Sequence, residues 1–550
     1  MARLPADLRL ALHLRPGQIL HRPRRLIAPR LLATGIPDDP PVRWRPLAAG
    51  LGVDPAPQSG PVPPPHEAGV FEALGLRRAA DAPGLWAAGD DGLLLAFTLH
   101  GFTELARYAA GPPSPGGDAF WAGVLRSWLD ACDEPAEPAW HPFPLSLRLT
   151  SWMAALSRPG WPADLHARAL TSAARQLRYL RRSVEHDIGG NHVLRNGCAL
   201  VMAGACLGDE RSERAGLTLL RRELARQILS DGGHEERSPS YHRDVLAALA
   251  DVAETLRRAH REIPGWLDAT VGRMTEWLSA LALPDGSLPL VNDAWEGPPV
   301  VPATGDVDLP ASGFVVFRDG EDALVLQAGP IAPAHLPAHA HAHALSIVAA
   351  FDGRPVVVDP GVGAYTGPAR DRYRSTAAHS TVGVDSRDQC ELIGPFRAVG
   401  LPDVRVIDRW SEGTARLVRA VHDGYAPVRH ERTVVWLPGS GAVIADRLLA
   451  GGPHRIRSAL VLHPAATATE ASPVTIAALG PFPARDEPAT YSPAFGREVA
   501  TGTRILEGLA APGQRFGWAL LREGASARLD GDRLVIDGPA GEMVEIRLPG

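Results

Sequence analysis

Ala338-His339-Ala340-His341-Ala342-His343-Ala344-Leu345-Ser346 sets three histidines at alternate positions, with His335 just upstream. The apolar run Leu345–Phe351 follows, then Asp352-Gly353, then Arg354-Pro355-Val356-Val357-Val358-Asp359-Pro360-Gly361. Two β-rich runs around an Asp-Gly pair predict a hairpin. In an extended chain alternate residues share one face, so the three imidazoles can converge on a metal ion or an anionic substrate. A half-exposed strand of alternating Ala and His would give the same pattern without a site.

Downstream the pattern stays β. Gly313–Arg318, Ala323–Ala328, Thr381–Asp385, Val404–Asp408, Ala415–Val421, Thr433–Leu437, Ala442–Asp446, Ala459–Leu462, Ala527–Leu529, Arg533–Ile536 and Met543–Leu548 are short β-rich runs separated by turn signals. They predict an antiparallel β-sandwich over 301–550. Upstream, from about 86 to 300, the period is helical. Helices are expected over Ala119–Cys132, Pro144–Leu156, Pro162–Val184, Asn191–Leu207, Glu210–Leu229, Tyr241–Arg261 and Pro264–Leu283, with Asp209 as a cap and Pro264 in a first turn. Short loops between such helices indicate an all-α domain, whose periodicity fits a bundle or an α/α toroid equally. Residues 1–85 read as an Arg-rich arm followed by a Pro/Gly-rich segment, packed on a domain or serving as a linker.

The 550-residue chain is too long for one ordinary domain. Its net charge of −6 argues against a general nucleic-acid footprint. All 56 basic residues are arginine, so every fixed cation is a planar fork suited to carboxylate or sulfate. Cys132, Cys198, Cys206 and Cys390 form no CxxC pair and read as free thiols. No apolar run reaches the ~18 residues of a membrane span. The N-terminal apolar pieces Leu8–Leu14 and Leu26–Leu32 are interrupted, and Arg24-Arg25 precedes no long apolar segment. A cytoplasmic location is therefore expected, with the periplasm as the alternative.

Four stretches carry chemistry. Gly189-Gly190-Asn191-His192-Val193-Leu194-Arg195-Asn196 places polar side chains beside a helix N-terminus, a plausible anion-binding edge or simply a cap. Asp231-Gly232-Gly233-His234-Glu235-Glu236-Arg237-Ser238-Pro239-Ser240-Tyr241-His242 is a polar loop entering a helix that Ser238 or Ser240 can cap, yet it holds more ionisable groups than a cap needs. The histidine run with Asp359 is the third. The fourth is Asp371-Arg372-Tyr373-Arg374-Ser375-Thr376-Ala377-Ala378-His379-Ser380-Thr381. His341, Asp359 and His379 form an N, O, N ligand set suited to Zn²⁺.

In this order the pieces resemble the heparinase II/III family of polysaccharide lyases, with its alginate-lyase relatives. The shared elements are the Asn-His helix start, Ser-Pro-Ser-Tyr-His, His-x-His-x-[Asp]-Ala-Leu-Ser, Val-Asp-Pro-Gly and Ser-Thr-x-x-His-[Asn]-Thr, spread over about 180–400. Here His343 stands at the usual Asp and Ser380 at the usual Asn. The resemblance implies a multidomain α+β protein, an incomplete (α/α) toroid followed by an antiparallel β-sandwich, with the site in the cleft between them. It implies β-elimination on a 4-O-linked uronic-acid polysaccharide or oligosaccharide, either glycosaminoglycan or alginate-like.

The chemistry agrees. Removing the C5 proton puts charge on the adjacent carboxylate, which donors such as Asn191 and His192 can neutralise. Tyr241 suits the acid or, with its ordinary pKa of about 10 lowered by cations, the base. His339 or Tyr365 takes the complementary task, with Tyr373 behind Tyr365. Glu236, Arg237 and Arg374 are expected to bind substrate, and Zn²⁺ on His341, Asp359 and His379 to be structural. Three other readings stand beside this one. A glycoside hydrolase would use Glu235 or Glu236 with Asp231. A uronate C5-epimerase shares the proton abstraction. A non-catalytic polysaccharide binder needs neither.

Overall fold

The structure is a computed structural model that describes residues 9, 11–23, 27, 29–47, 65–73, 76–87, 92–467, 472–538 and 543–549. The N-terminal apolar pieces, Arg24-Arg25 and Pro55–Pro64 lie wholly or partly outside the described residues. The chain divides into two compact units. One holds Leu14–Ile228 with Tyr241–Thr275, and the other holds Leu229–Ser240 and the chain from Glu276 on.

The first unit is helical. All seven expected helices form, as Pro115–Cys132, Pro142–Leu156, Ala163–Leu180, Gly190–Leu207, Glu210–Gln227, Pro239–Arg258 and Gly265–Leu281. Directly before them come Gly92–Gly101 and Thr103–Ala110, broken by Phe102 in the left-handed region. The first is apolar on nearly every face, so it lacks the stripe that reveals a surface helix. Asp209 caps its helix, accepting from Ser212 N at 3.0 Å. The two-residue link Gly208-Asp209 turns Gly190–Leu207 back onto Glu210–Gln227. The two backbones approach closely because a Cβ on Gly204 would lie 2.6 Å from Glu213 N, and one on Gly216 2.8 Å from Val201 N. Buried Trp128 and Trp152 meet edge to face at 5.2 Å, and Arg148 lies 4.3 Å over Trp128. Its guanidinium donates to Gln176 Oε1, His100 O and Ala139 O, so the buried cation is hydrogen-bonded throughout. Part of the Pro/Gly-rich segment packs on this unit through Arg43 N→Leu207 O and Arg45 N→Cys206 O.

The second unit is β. A five-stranded antiparallel meander (Val307–Leu309, Phe314–Asp319, Asp322–Gln327, Ile347–Phe351, Arg354–Val357) faces a six-stranded sheet. The latter runs Val404–Glu412, Ala415–Tyr425, Val428–Leu437, Gly441–Leu449, Arg515–Leu521, Thr475–Leu479. Phe317 and Phe351 both stack on Trp436 between the two sheets. The outer face of the six-stranded sheet is covered by Leu534, Ile536 and Ile546 of a three-stranded sheet. Burial on both faces explains runs such as Arg432-Thr433-Val434-Val435-Trp436-Leu437, which do not alternate. A four-stranded sheet, in the order Ala484–Ala494, Arg497–Ala510, His454–Val461, Val382–Val384, and a two-stranded pair of Glu391–Ile393 with Arg397–Val399 belong to the same unit.

The expected hairpin forms as Ile347–Phe351 and Arg354–Val357, with Asp352 and Gly353 both at positive φ. The histidine run itself is not a strand. His339–Ser346 is an irregular segment, and Ala340, Ala342 and Ala344 are as buried as His341 and His343. Neither side of it faces solvent, so no half-exposed strand exists there.

Candidate functional site

Asp293 organises the β unit's polar centre. Its Oδ1 faces His341 Nε2 at 2.9 Å and its Oδ2 faces His339 Nδ1 at 2.8 Å. Arg370 spans both oxygens, from Nη1 to Oδ1 and from Nη2 to Oδ2, the second contact at 3.0 Å. Burial alone would raise this carboxyl. Arg370 and the hydrogen bonds from His339 and His341 outweigh burial and hold it well below the ordinary carboxylate range. An ionised carboxylate only accepts, so the nitrogens facing it carry hydrogen.

The neighbouring Asn292 sits at φ +60, a conformation Asn tolerates. It ties three segments together, donating to Arg237 O and Ile331 O and accepting from His341 N. Ser238 donates to Asp293 O, and Ser240 both donates to Trp295 O and accepts from Trp295 N. These serines clamp the 293–295 segment at the start of the following helix. Glu236, 2% exposed, brings Oε2 to 3.3 Å from His339 Nε2. Glu235 and His335 approach at 3.6 Å. Tyr365 is half-buried with Arg370 over its ring at 5.3 Å, so it joins this group.

Three residues depart from the roles expected of them. Arg237 is buried at φ +54 and donates to Glu235 O and Ala311 O. Arg374 is fully buried and donates to Ala340 O, Gly394 O and Arg397 O. Both guanidiniums hold backbone in place instead of facing substrate; Arg374 fixes the loop that carries His341. Tyr373 is buried with its hydroxyl on Thr490 Oγ1, and burial pushes its pKa up, which disfavours it as a base in place of Tyr365. The paired-carboxylate reading also loses its partner. Asp231 is occupied within its own unit, accepting from Gly233 N, Ser312 N and Ser312 Oγ.

His341, Asp359 and His379 are buried, and one ligand atom from each lies within 4.8 Å of the others. His379 Nδ1 faces Asp359 Oδ2 at 2.9 Å. Its Nε2 and His341 Nδ1 are buried without a hydrogen-bond partner among the described residues. Burial pushes His341 down to about 3, so its imidazole is neutral and Nδ1 carries a lone pair. Burial opposes ionisation of Asp359, but His379 and its neighbours hold that carboxyl below its ordinary value. Two imidazole lone pairs and a carboxylate around one point fit a divalent metal such as Zn²⁺. His343 packs against His379 and places Nδ1 3.0 Å from His341 O.

In the helical unit, Gly189 and Gly190, both at positive φ, open the helix that carries Asn191 and His192. Asn191 is 9% exposed. His192 stacks on Phe143 at 4.2 Å and brings Nδ1 to 3.1 Å from Glu185 Oε1. Burial would raise the Glu185 carboxyl, yet His192, His141 and Asn196 bring it below its ordinary value. Asn196 is buried and donates to Glu185 Oε2 and Ser146 Oγ, so its amide is committed inside the unit. Tyr241 is half-buried in the first turn of Pro239–Arg258. Asp293, Arg370 and Glu185 were not singled out by the sequence. The available signal was an Asn-Asp pair closing the apolar run Leu288–Val291.

Two family models cover this arrangement. Heparinase II/III N-terminus matches residues 106–302, and Heparinase II/III-like, C-terminal matches residues 301–519. The chain belongs to the heparinase II/III family. It is 24% identical over 360 residues to a heparin-sulfate lyase of Pedobacter heparinus, covering 56% of this chain and 52% of that one. It is 25% identical over 378 residues to a heparin-sulfate lyase of Bacteroides stercoris, covering 58% and 52%. The chain thus spans about half the length of the relatives it matches. Among solved structures, a mutant heparan sulfate lyase of Pedobacter heparinus superposes with TM-score 0.64 at 18% identity, covering 92% of both chains. A heparinase III superposes with TM-score 0.68 at 16% identity, covering 85% and 86%. The fold of this family member is the incomplete (α/α) toroid followed by an antiparallel β-sandwich.

Proposed function

We propose that the protein is a polysaccharide lyase that cleaves a 4-O-linked uronic-acid chain by β-elimination. A glycosaminoglycan of the heparin or heparan sulfate class is the preferred substrate. The observation that carries the reading is His339. It is a largely buried imidazole held by Asp293 and Glu236 in a chain built on the heparinase II/III plan. The relatives' names support the substrate class.

In this reading a base removes the C5 proton, the C4–C5 double bond forms, and the O4 leaving group departs with a proton from an acid. Tyr241 performs one transfer, and His339 or Tyr365 the other. A phenol suits the task because it is uncharged while waiting and does not repel a polyanion. Asp293 fixes the His339 ring through Nδ1–H, and the reacting group would meet Nε2 at the edge it shares with Glu236. Asn191 and His192 neutralise the charge that develops on the substrate carboxylate. Glu236 binds at the His339 edge. His341, Asp359 and His379 would hold Zn²⁺, which would supply a structural crosslink between three chain segments rather than a step of the elimination.

The test is a panel of heparin, heparan sulfate, chondroitin sulfate and alginate, followed by ultraviolet absorbance of the unsaturated product. Growth in absorbance on a glycosaminoglycan supports the reading. Reducing ends without absorbance indicate a hydrolase. C5 inversion without cleavage indicates an epimerase.

A further inference from the structure

The β unit contains an open cavity of about 600 Å³ whose wall includes Thr376 and Ala377 but none of Asp293, His339, His341, Asp359 or His379. Its floor is the strand His454–Val461, flanked by Val382–Val384 and Arg497–Ala510. On this strand Ile456 is buried while Arg455 and Arg457 face the cavity, the alternation expected of a sheet with one wet face. Gly383 opposite Arg457 leaves the floor open; a Cβ there would meet nothing nearer than 3.8 Å.

The rim is a tight turn in which Asp385 and Ser386 both have positive φ, at +52 and +55. Non-glycine residues are uncommon in that region, and such strain persists only where the surroundings enforce it. Here Asp385 is locked by His454 Nδ1 at 2.7 Å and by Arg455 N at 3.0 Å. The turn brings exposed Arg387 to the cavity wall.

The cations here differ from those of the catalytic candidates. Among the described residues, the guanidiniums of Arg387 and Arg455 make no hydrogen bond and no ion pair within 4.0 Å; the charge of Arg387 is felt by Asp385, whose carboxylate is already held by His454 and Arg455 N. The acids on the wall are already engaged: Asp388 accepts from Thr376 N at 2.7 Å and Glu507 accepts from Arg485 at 2.5 Å. Arg457 is shared between Ala377 O and Glu487. Leu509, 61% exposed, supplies an apolar side beside Arg455.

We infer that this cavity is a second, non-catalytic site for an anionic sugar residue. Arg387 and Arg455 would take a sulfate or carboxylate, and Leu509 would take the apolar face of the ring. A planar fork reads such oxygens bidentately, and the volume falls within the roughly 300–1,000 Å³ of ordinary ligand sites. The ligand class rests on the proposed function, but the site is assayed by binding and needs no turnover.

The experiment titrates a size-defined heparin oligosaccharide into Tyr241→Phe protein by calorimetry. The comparison proteins carry, in the same background, Arg387→Ala with Arg455→Ala, or Leu509→Asp alone. All three positions are exposed, and Leu509→Asp adds a charge without deleting any contact of the arginines. Two binding events are expected in the parent. One should weaken about tenfold or more in each comparison protein, the scale of one lost charge-assisted contact. The weaker event should also fade as salt rises. A single event in the parent, or affinities within twofold across all three proteins, overturns the inference. Binding that survives when no polymer of the panel yields unsaturated product would sink the lyase reading while leaving this site standing.

Discussion

Asp293→Asn is close to isosteric, and its consequences follow from counting hydrogen bonds. Each carboxylate oxygen accepts from one imidazole nitrogen and one guanidinium nitrogen. An amide offers one oxygen, so its NH₂ must point at a donor pair, either His339 with Arg370 Nη2 or His341 with Arg370 Nη1. The buried Arg370 also loses the carboxylate that neutralises it. Breaking a buried pair by removing one partner costs about 3–5 kcal/mol, a large share of the roughly 5–15 kcal/mol that holds a folded protein together. Two further losses separate this change from general damage. His341 is oriented by Asp293 while its other nitrogen faces the triad. Zinc affinity should therefore fall about 10–100-fold, as for other outer-shell carboxylates. His339 loses the acceptor that fixes its ring, and turnover should drop by about 10⁴, the scale seen when a buried carboxylate behind a catalytic imidazole is neutralised. Urea unfolding at pH 7, zinc competition with a calibrated chelator, and initial rates on the best polymer measure the three. A variant within about 1 kcal/mol of wild type, the ordinary cost of a point change, and with unaltered zinc affinity refutes the central place given to Asp293.

Tyr241→Phe should lower turnover by about 10²–10⁴ with little change in binding, since it removes only the hydroxyl; a rate within threefold of wild type would falsify its role. Asn191→Ala should cost about 10²–10³ in turnover, read on the same substrate. Purified protein should hold about one zinc per chain, and prolonged chelation should lower the melting temperature; metal-free protein with an unchanged melting temperature contradicts the His341, Asp359, His379 site. His100 accepts from Trp128 Nε1 at Nδ1 and faces Trp86 O with Nε2, and burial pushes it down to about 3 from 6.5. Its neutral form therefore stabilises the fold fully above pH 6.5 and progressively less as pH falls toward 3. The loss between pH 7 and pH 5 is about 2 kcal/mol, and His100→Gln should shrink the wild-type difference in urea stability between those pH values by that amount.

Helices with an apolar stripe were legible in the sequence, as were strands beside good turns. Elements lacking a local contrast were not. Gly92–Gly101 is apolar all round, and Arg515–Leu521 is buried on both faces of the six-stranded sheet. Ala484–Ala494 is polar, carries Pro488 and lies at a sheet edge, so it reads as a loop. The candidate site divides the same way. His341, Asp359 and His379 were visible as ligand types in a known order. Asp293 was not, because its partners lie 46, 48 and 77 residues away and no local pattern encodes them.

Position 343 shows where pattern and structure need each other. The resemblance marks His343 as a departure from an acidic residue but assigns it no role. In the structure its Nδ1 is 3.0 Å from His341 O, a carbonyl oxygen that can only accept. A carboxylate at 343 would meet that oxygen with repulsion, whereas a neutral imidazole with hydrogen on Nδ1 donates to it. Burial favours the neutral form, pushing His343 down to about 4. The substitution thus removes a negative charge beside Asp359 and adds a brace on the backbone of a candidate metal ligand. His343→Asp should restore the charge and lose the brace. If the brace matters more, zinc affinity falls by about 10–100-fold, the range for such outer-shell contacts. Equal or tighter zinc binding in His343→Asp, measured by the same chelator competition, would show instead that charge dominates and that the histidine is tolerated rather than used.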